Sequence, residues 1–200
     1  MKHELRHFKI GNSYGGNQDW FPTFMMRIGG CGAETACDSS IYFALHRGFL
    51  KIAPENAANL SKDDYVRFAY EMRPFLSPRM TGIDRLDIFI DGYSQYLKSR
   101  GESRLTMTAF DGNEPFEKAK QAVARQIDAG YPLPTLILNH SNKALEDYVW
   151  HWFLINGYNE TKSDFFVKTV TYSSYRWVNL NDLWNTGHVR RGGFVLFNTN

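Results

Sequence analysis

The sequence predicts an α+β protein: one domain over residues 1–200, mainly helical to about residue 130 and mainly antiparallel sheet from about 131. Three observations carry that expectation. Apolar residues recur at helical spacing in segments of the first part that are punctuated by Gly, Pro or an N-cap residue. Shorter apolar runs follow, broken by turn residues at strand rather than helix length. A hydrophobic content of 43% over 200 residues is enough for one sizeable core or two closely joined halves. The helices must bury their stripes on something, which places a cleft between a helical and a sheet layer.

Residues 8 to 30, with Gly and Asn recurring and a proline at Pro22, read as loop and short strand. Ala33, Cys37, Ile41 and Leu45 share a helix face, so a helix runs from Ala33 to about Arg47 and stops at Gly48. Ser61, followed by Lys-Asp-Asp, is an N-cap for a helix ending near Met72, before Pro74. A third helix covers roughly Asp84 to Lys98 and ends near Gly101; a fourth runs from Glu114 to Asp128, closed by Gly130. Arg104 to Phe110 between them reads as a strand. Pro132 to Asn139, Tyr148 to Gly157, Phe165 to Tyr172, Arg176 to Leu180 and Gly193 to Asn198 supply the sheet, with a helical turn near Asn181 to Trp184. In the second of these, Val149, His151, Phe153 and Ile155 share one face and Trp150, Trp152 and Leu154 the other. Both faces are apolar, so that strand is interior. Gly157-Tyr158-Asn159-Glu160 is expected to turn the chain into Phe165-Phe166-Val167.

Charge excludes two classes of partner. A formal net charge of +2, with the 22% charged residues interspersed, leaves no footprint for nucleic acid or an anionic membrane surface. The N-terminus lacks the apolar run of a signal sequence, and no stretch reaches the roughly 20 apolar residues of a spanning helix. The expectation is a soluble, cytoplasmic protein. Two cysteines are too few for a disulfide framework. Joined by helix, Cys31 and Cys37 would lie about 9 Å apart, too far to bridge, so both are expected as free thiols. Oligomeric state leaves no mark in the sequence.

Cys31 carries the chemistry. It follows Ile28-Gly29-Gly30 and opens a helix, where the backbone dipole favours thiolate over thiol. The flanking glycines are expected to leave the sulfur open to a substrate. Cys37, on the apolar stripe, reads as a small core hydrophobe. About 120 residues downstream, His151 in its apolar strand is the candidate base. Acyl transfer also needs donors aimed at a developing oxyanion, and Gln18 or Asn17 has the amide for it, beside the Cys31 N–H. A third group must hold the imidazole. Opposite His151 the next strand offers Thr169-Val-Thr-Tyr172, with neither Asn nor Asp. Thr171 is the nearest polar residue, Ser173 the next, and Asn179 comes into range only if the register slips. His140 follows a strand end and ranks below His151; His46 lies late on the helix, far from Cys31. His3 and His7 have the spacing of a helical metal pair but no third ligand, so no metal is expected. No cofactor is expected either.

Gly29-Gly-Cys-Gly-Ala-Glu-Thr-Ala36 resembles the nucleophile motif of the papain-like cysteine peptidase superfamily, nearest the bacterial branch related to bacteriocin-leader-processing peptidases. His151-Trp-Phe-Leu-Ile-Asn-Gly-Tyr158 is similar to its histidine strand. Gln18 sits where the family places its oxyanion glutamine, with a longer spacer to the cysteine. The resemblance implies a papain-like fold, with the nucleophile helix packed on the C-terminal sheet, and thiol-dependent cleavage of a peptide or small amide substrate. It covers the N-terminal motif and the sheet; the stretch from about 55 to 101 matches nothing in it. The chain departs from the pattern in lacking Asn or Asp on the strand after His151. Two other functions fit the same motifs: an acyltransferase passing the acyl group to an amine, and a catalytically silent module that binds peptides in an aromatic cleft.

Overall fold

The computed structural model describes residues 1–79 and 82–200. It is an α+β structure of helix and antiparallel sheet. Chain order is β1 (Lys2–Glu4), β2 (Lys9–Ile10), β3 (Ser13–Tyr14), α1 (Phe24–Gly29), α2 (Cys31–Arg47), α3 (Lys62–Met72) and α4 (Leu86–Ser99). Then follow β4 (Leu105–Asp111), α5 (Phe116–Asp128), β5 (Leu133–Ile137), β6 (His151–Glu160), β7 (Phe165–Thr171), β8 (Ser174–Asn179), α6 (Leu180–Trp184) and β9 (Gly193–Thr199).

The main sheet runs β4-β9-β5-β6-β7-β8, every pair antiparallel. Two strands come from the N-terminal part: β4 forms one edge, and β1 pairs with the far half of β6, Glu4 opposite Gly157. The reading of Gly157 to Glu160 as a turn is corrected here. That segment stays in β6, with a register shift between Ile155 and Tyr158, and the chain turns at 161–164. Gly157 serves close approach instead, since a Cβ there would stand 3.0 Å from the His3 carbonyl.

Helix α2 is the axis of the core. Every residue from Cys31 to Ala44 is buried, because α1, α3 and β6 all pack around it. Its polar side chains therefore find partners inside: Ser40 Oγ lies 2.7 Å from Tyr93 Oη, and Tyr65 Oη donates to Asp38 Oδ1 at 2.7 Å. Gly48 closes the helix in the left-handed region, φ 74°, which glycine adopts without a Cβ penalty. Helix α3 begins at Ser61 with a reciprocal capping box to Asp64.

Two N-terminal expectations are corrected. Part of the segment read as loop and short strand forms α1, whose Thr23 N-cap side chain does not cap the helix and lies instead 2.9 Å from Tyr70 Oη. His3 lies on strand β1 and bonds Asp128 at 2.7 Å, while His7 lies outside any helix, so the helical pair does not exist. Among the described residues no helix is long and apolar enough to cross a membrane.

Candidate active site

One residue, Gly30, joins α1 to α2: its N–H closes α1 on Met26 O at 2.9 Å, and its carbonyl accepts from Glu34 in the first turn of α2. A Cβ at Gly30 would stand 2.2 Å from Met26 O, and one at Gly32 would stand 3.0 Å from Ile83 Cδ1. These glycines let chain pack against the cysteine. They do not open it: Cys31 is 3% exposed, which corrects the expectation of an accessible sulfur.

The thiol lies against the start of β6, where the Trp152 backbone N–H favours its anion. Burial outweighs that donor and the helix terminus, and Glu34, one turn on, adds a nearby acid. Together they push the Cys31 thiol up to about 11. The lowered thiol expected from the helix dipole is thereby overturned. Both cysteines are free and buried.

His151 opens β6 at 3% exposure. Its Nε2 lies 2.7 Å from Thr171 Oγ1, on the last residue of β7. Its ring stacks on Tyr172 at 4.8 Å and 6°, with Phe153 at 6.4 Å. Burial holds the imidazolium down to about 4, against a weak opposing pull from Asp147. Asn179 is not near this group: it pairs with Phe166 at the other end of the β7–β8 ladder and donates to Asp164.

The gap between about 11 and about 4 decides the resting state. Moving the proton from thiol to imidazole is uphill by on the order of 10 kcal/mol. Even at a contact distance of about 4 Å, with an effective dielectric near 20, attraction between the two charges would return only about 4 kcal/mol. Neutral thiol and neutral imidazole dominate.

The buried imidazole makes a prediction. Between about pH 6.5 and about 4 the unfolded chain binds a proton that the folded chain refuses, so stability falls as pH drops through that window. The full difference is on the order of 3 kcal/mol. Urea unfolding at pH 7 and pH 4.5 should show a smaller acid loss for His151→Gln than for the parent protein. Equal losses would mean that His151 titrates normally in the fold.

Gln18, in a 3-10 turn over Gln18–Trp20, is buried at the α1–α2 junction. Its Nε2 donates to Arg27 O at 3.0 Å, its backbone N–H donates to Glu34 Oε2 at 3.1 Å, and its Oε1 is buried without a partner. One N–H of the amide thus holds α1, leaving the second. The Glu34 carboxyl, desolvated and facing Asp38, is held well above the usual carboxylate range. His140 clamps a loop, with Nε2 on Asp182 O at 2.9 Å and Nδ1 accepting from Asn142 N.

Sequence reasoning missed three contributors: Trp152, Glu34 and Tyr172. Among the described residues the non-glycine positions with positive φ are Trp150 at 52°, Tyr172 at 49° and Ser173 at 60°. All lie beside His151: the preceding residue, the stacked residue and the one after it. Each costs on the order of 1–3 kcal/mol, and such outliers gather at functional sites. No local signal marks the last two: Tyr172 and Ser173 are the two residues between β7 and β8, where a turn with positive φ at both positions normally takes Asn-Gly.

A cleft of about 320 Å³ lies along the same end of the sheet, lined by Asp84, Asp111, Leu136, Leu138, Arg190 and Arg191 among others. Leu136 pairs with Trp152, and Leu138 O accepts from Trp150 N–H, so the cleft lies one strand from the His151 segment. Compared with models of known protein families and with curated proteins, the chain gives no match.

Proposed function

We propose that the protein is a cysteine hydrolase of papain-like fold that cleaves a peptide or small amide bond. The observation that carries this is the concentration of backbone strain at His151, whose segment packs the Trp152 N–H against the thiol that opens α2. A helix headed by cysteine, an antiparallel sheet with histidine on one strand and an orienting residue on the next is the papain-like arrangement implied by the motif at 29–36. Free thiols fit a reducing, cytoplasmic setting, and the bacterial branch remains the nearest resemblance.

As the Cys31 sulfur bonds to the carbonyl carbon, its proton passes to His151 Nδ1; Thr171 holds Nε2. The Cys31 N–H and the second Gln18 N–H receive the oxyanion. His151 then protonates the leaving amine as the C–N bond breaks. Water, giving its proton to His151, opens the thioester and restores the thiol. The neutral resting pair makes this general-base attack, without a standing thiolate. The substrate's flanking chain would lie in the cleft along the sheet end.

The test is p-nitrophenyl acetate with and without glycinamide. Saturable p-nitrophenol release, an acetylated Cys31 in the mass spectrum and free acetate as product are expected. Acetyl-glycinamide as the main product would mean acyl transfer. The buried thiol and the low imidazole favour one other reading, a silent peptide-binding module, and the absence of any acetyl-Cys31 would select it.

A further inference from the structure

Thr171 is a weak orienting group. Its hydroxyl rotates, and a single bond to Nε2 leaves the imidazole free to swing about that contact. Something else must fix the plane of the ring. Two aromatic rings lie near-parallel to it: Phe153, from the same strand, at 6.4 Å and 19°, and Tyr172, from the turn, at 4.8 Å and 6°.

Tyr172 is placed there at a cost. Thr171 pairs with Ser174, so Tyr172 and Ser173 alone turn β7 into β8, both with positive φ. Such turns normally take Asn-Gly, because in this region the Cβ itself crowds the following carbonyl oxygen, a cost that glycine escapes and Asn tolerates best. The turn is nevertheless pinned on both sides. Tyr14 N–H donates to Ser173 O at 2.9 Å, and Ser173 N–H donates to Gly16 O at 2.9 Å. The 14–16 segment therefore selects a conformation that Tyr and Ser disfavour. What the strain achieves is the parallel stack on the imidazole.

We propose that Tyr172 is a positioning residue for His151, its ring held by the pinned turn so that the imidazole keeps the plane in which it exchanges a proton with Cys31. The proposal rests on the hydrolase reading for its catalytic consequence, and on the structure alone for the orientation of the ring. It assigns the role to the ring and not to the phenol, whose oxygen has no bonded partner among the described residues.

Two variants separate this from a role in folding. Tyr172→Gly removes the ring and relieves the backbone strain, since glycine adopts positive φ freely. Its thermal stability should hold or rise. Tyr172→Phe keeps the ring. The first readout is the ¹⁵N spectrum of His151: one tautomer is expected in the parent and in Tyr172→Phe, a mixture in Tyr172→Gly. The second is Cys31 acetylation by p-nitrophenyl acetate divided by its alkylation by iodoacetamide, so that a change in exposure cancels. That ratio should fall about ten- to a hundredfold in Tyr172→Gly and stay level in Tyr172→Phe. A Tyr172→Gly protein with a single tautomer and the parent's ratio overturns the proposal, as does a Tyr172→Phe protein that fails like Tyr172→Gly. If the parent acetylates no faster than it alkylates, the hydrolase reading falls, and the tautomer alone decides the positioning role.

Discussion

Replacing Cys31 by alanine will reduce turnover of p-nitrophenyl acetate at least about a thousandfold, to the rate of solvent, while the fold stays within about 1 kcal/mol of the parent. The two halves of that expectation have separate causes. The side chain is small, sits in the first turn of α2 and makes no disulfide, so losing the sulfur leaves a cavity of little more than one atom. Chemically nothing replaces it, because Cys37 is fully buried with its own thiol pushed well up. Iodoacetamide should tell a different story in the parent protein. With the thiol near 11, the thiolate fraction at pH 7 is about a hundredth of that of an ordinary thiol, so alkylation at rest should be slower by about that factor. An acyl donor that enters the site and is attacked through His151 escapes this limit. Stopped assays of both reagents on the parent and Cys31→Ala measure the contrast. Full turnover in Cys31→Ala removes the cysteine from the chemistry.

Local signals in the chain made some of this readable and left the rest dark. Helix α3 and the end of α2 were legible because Ser61, Asp64 and Gly48 act within one turn of themselves. The strands that carry His151 and Thr171 were legible as apolar runs of strand length bounded by turn residues. Helix α1 was not: six residues with an exposed Phe24 and Ile28 show no amphipathic period. Nor was β1, where β6 rather than composition makes Lys2–Glu4 a strand. At the site, residue type pointed to Cys31, His151 and Thr171, but their protonation did not follow from sequence. The helix dipole is a local property and burial is a tertiary one. Burial dominated, reversing the direction expected for Cys31. Tyr172 stayed hidden for the opposite reason, since its turn runs against local preference and is imposed by hydrogen bonds from residues 14 to 16.

Trp152→Ala should cost about 3–5 kcal/mol of stability and, under native conditions, speed alkylation of Cys31. The indole is 1% exposed, stacks on Phe89 at 4.3 Å and 18°, and donates from Nε1 to Ile83 O at 2.5 Å. Ile83 in turn is the residue whose Cδ1 fills the space beside Gly32, next to the thiol. One side chain thus supports the core under α4 and tethers what packs over the start of α2. Trp152→Phe divides the two tasks: an aromatic ring remains to meet Phe89, but the donor to Ile83 is gone. If ring volume holds the packing over Cys31, the Phe variant keeps slow alkylation and loses only about 1–3 kcal/mol, the cost of an unpaired buried carbonyl. If the tether holds it, Phe and Ala variants alkylate alike despite their different stabilities. Urea unfolding paired with timed iodoacetamide labelling separates these cases. Labelling in Trp152→Ala as slow as in the parent would show that Ile83 stays over Gly32 without the indole, and the burial that raises the thiol would then have to come from α2 and β6 themselves.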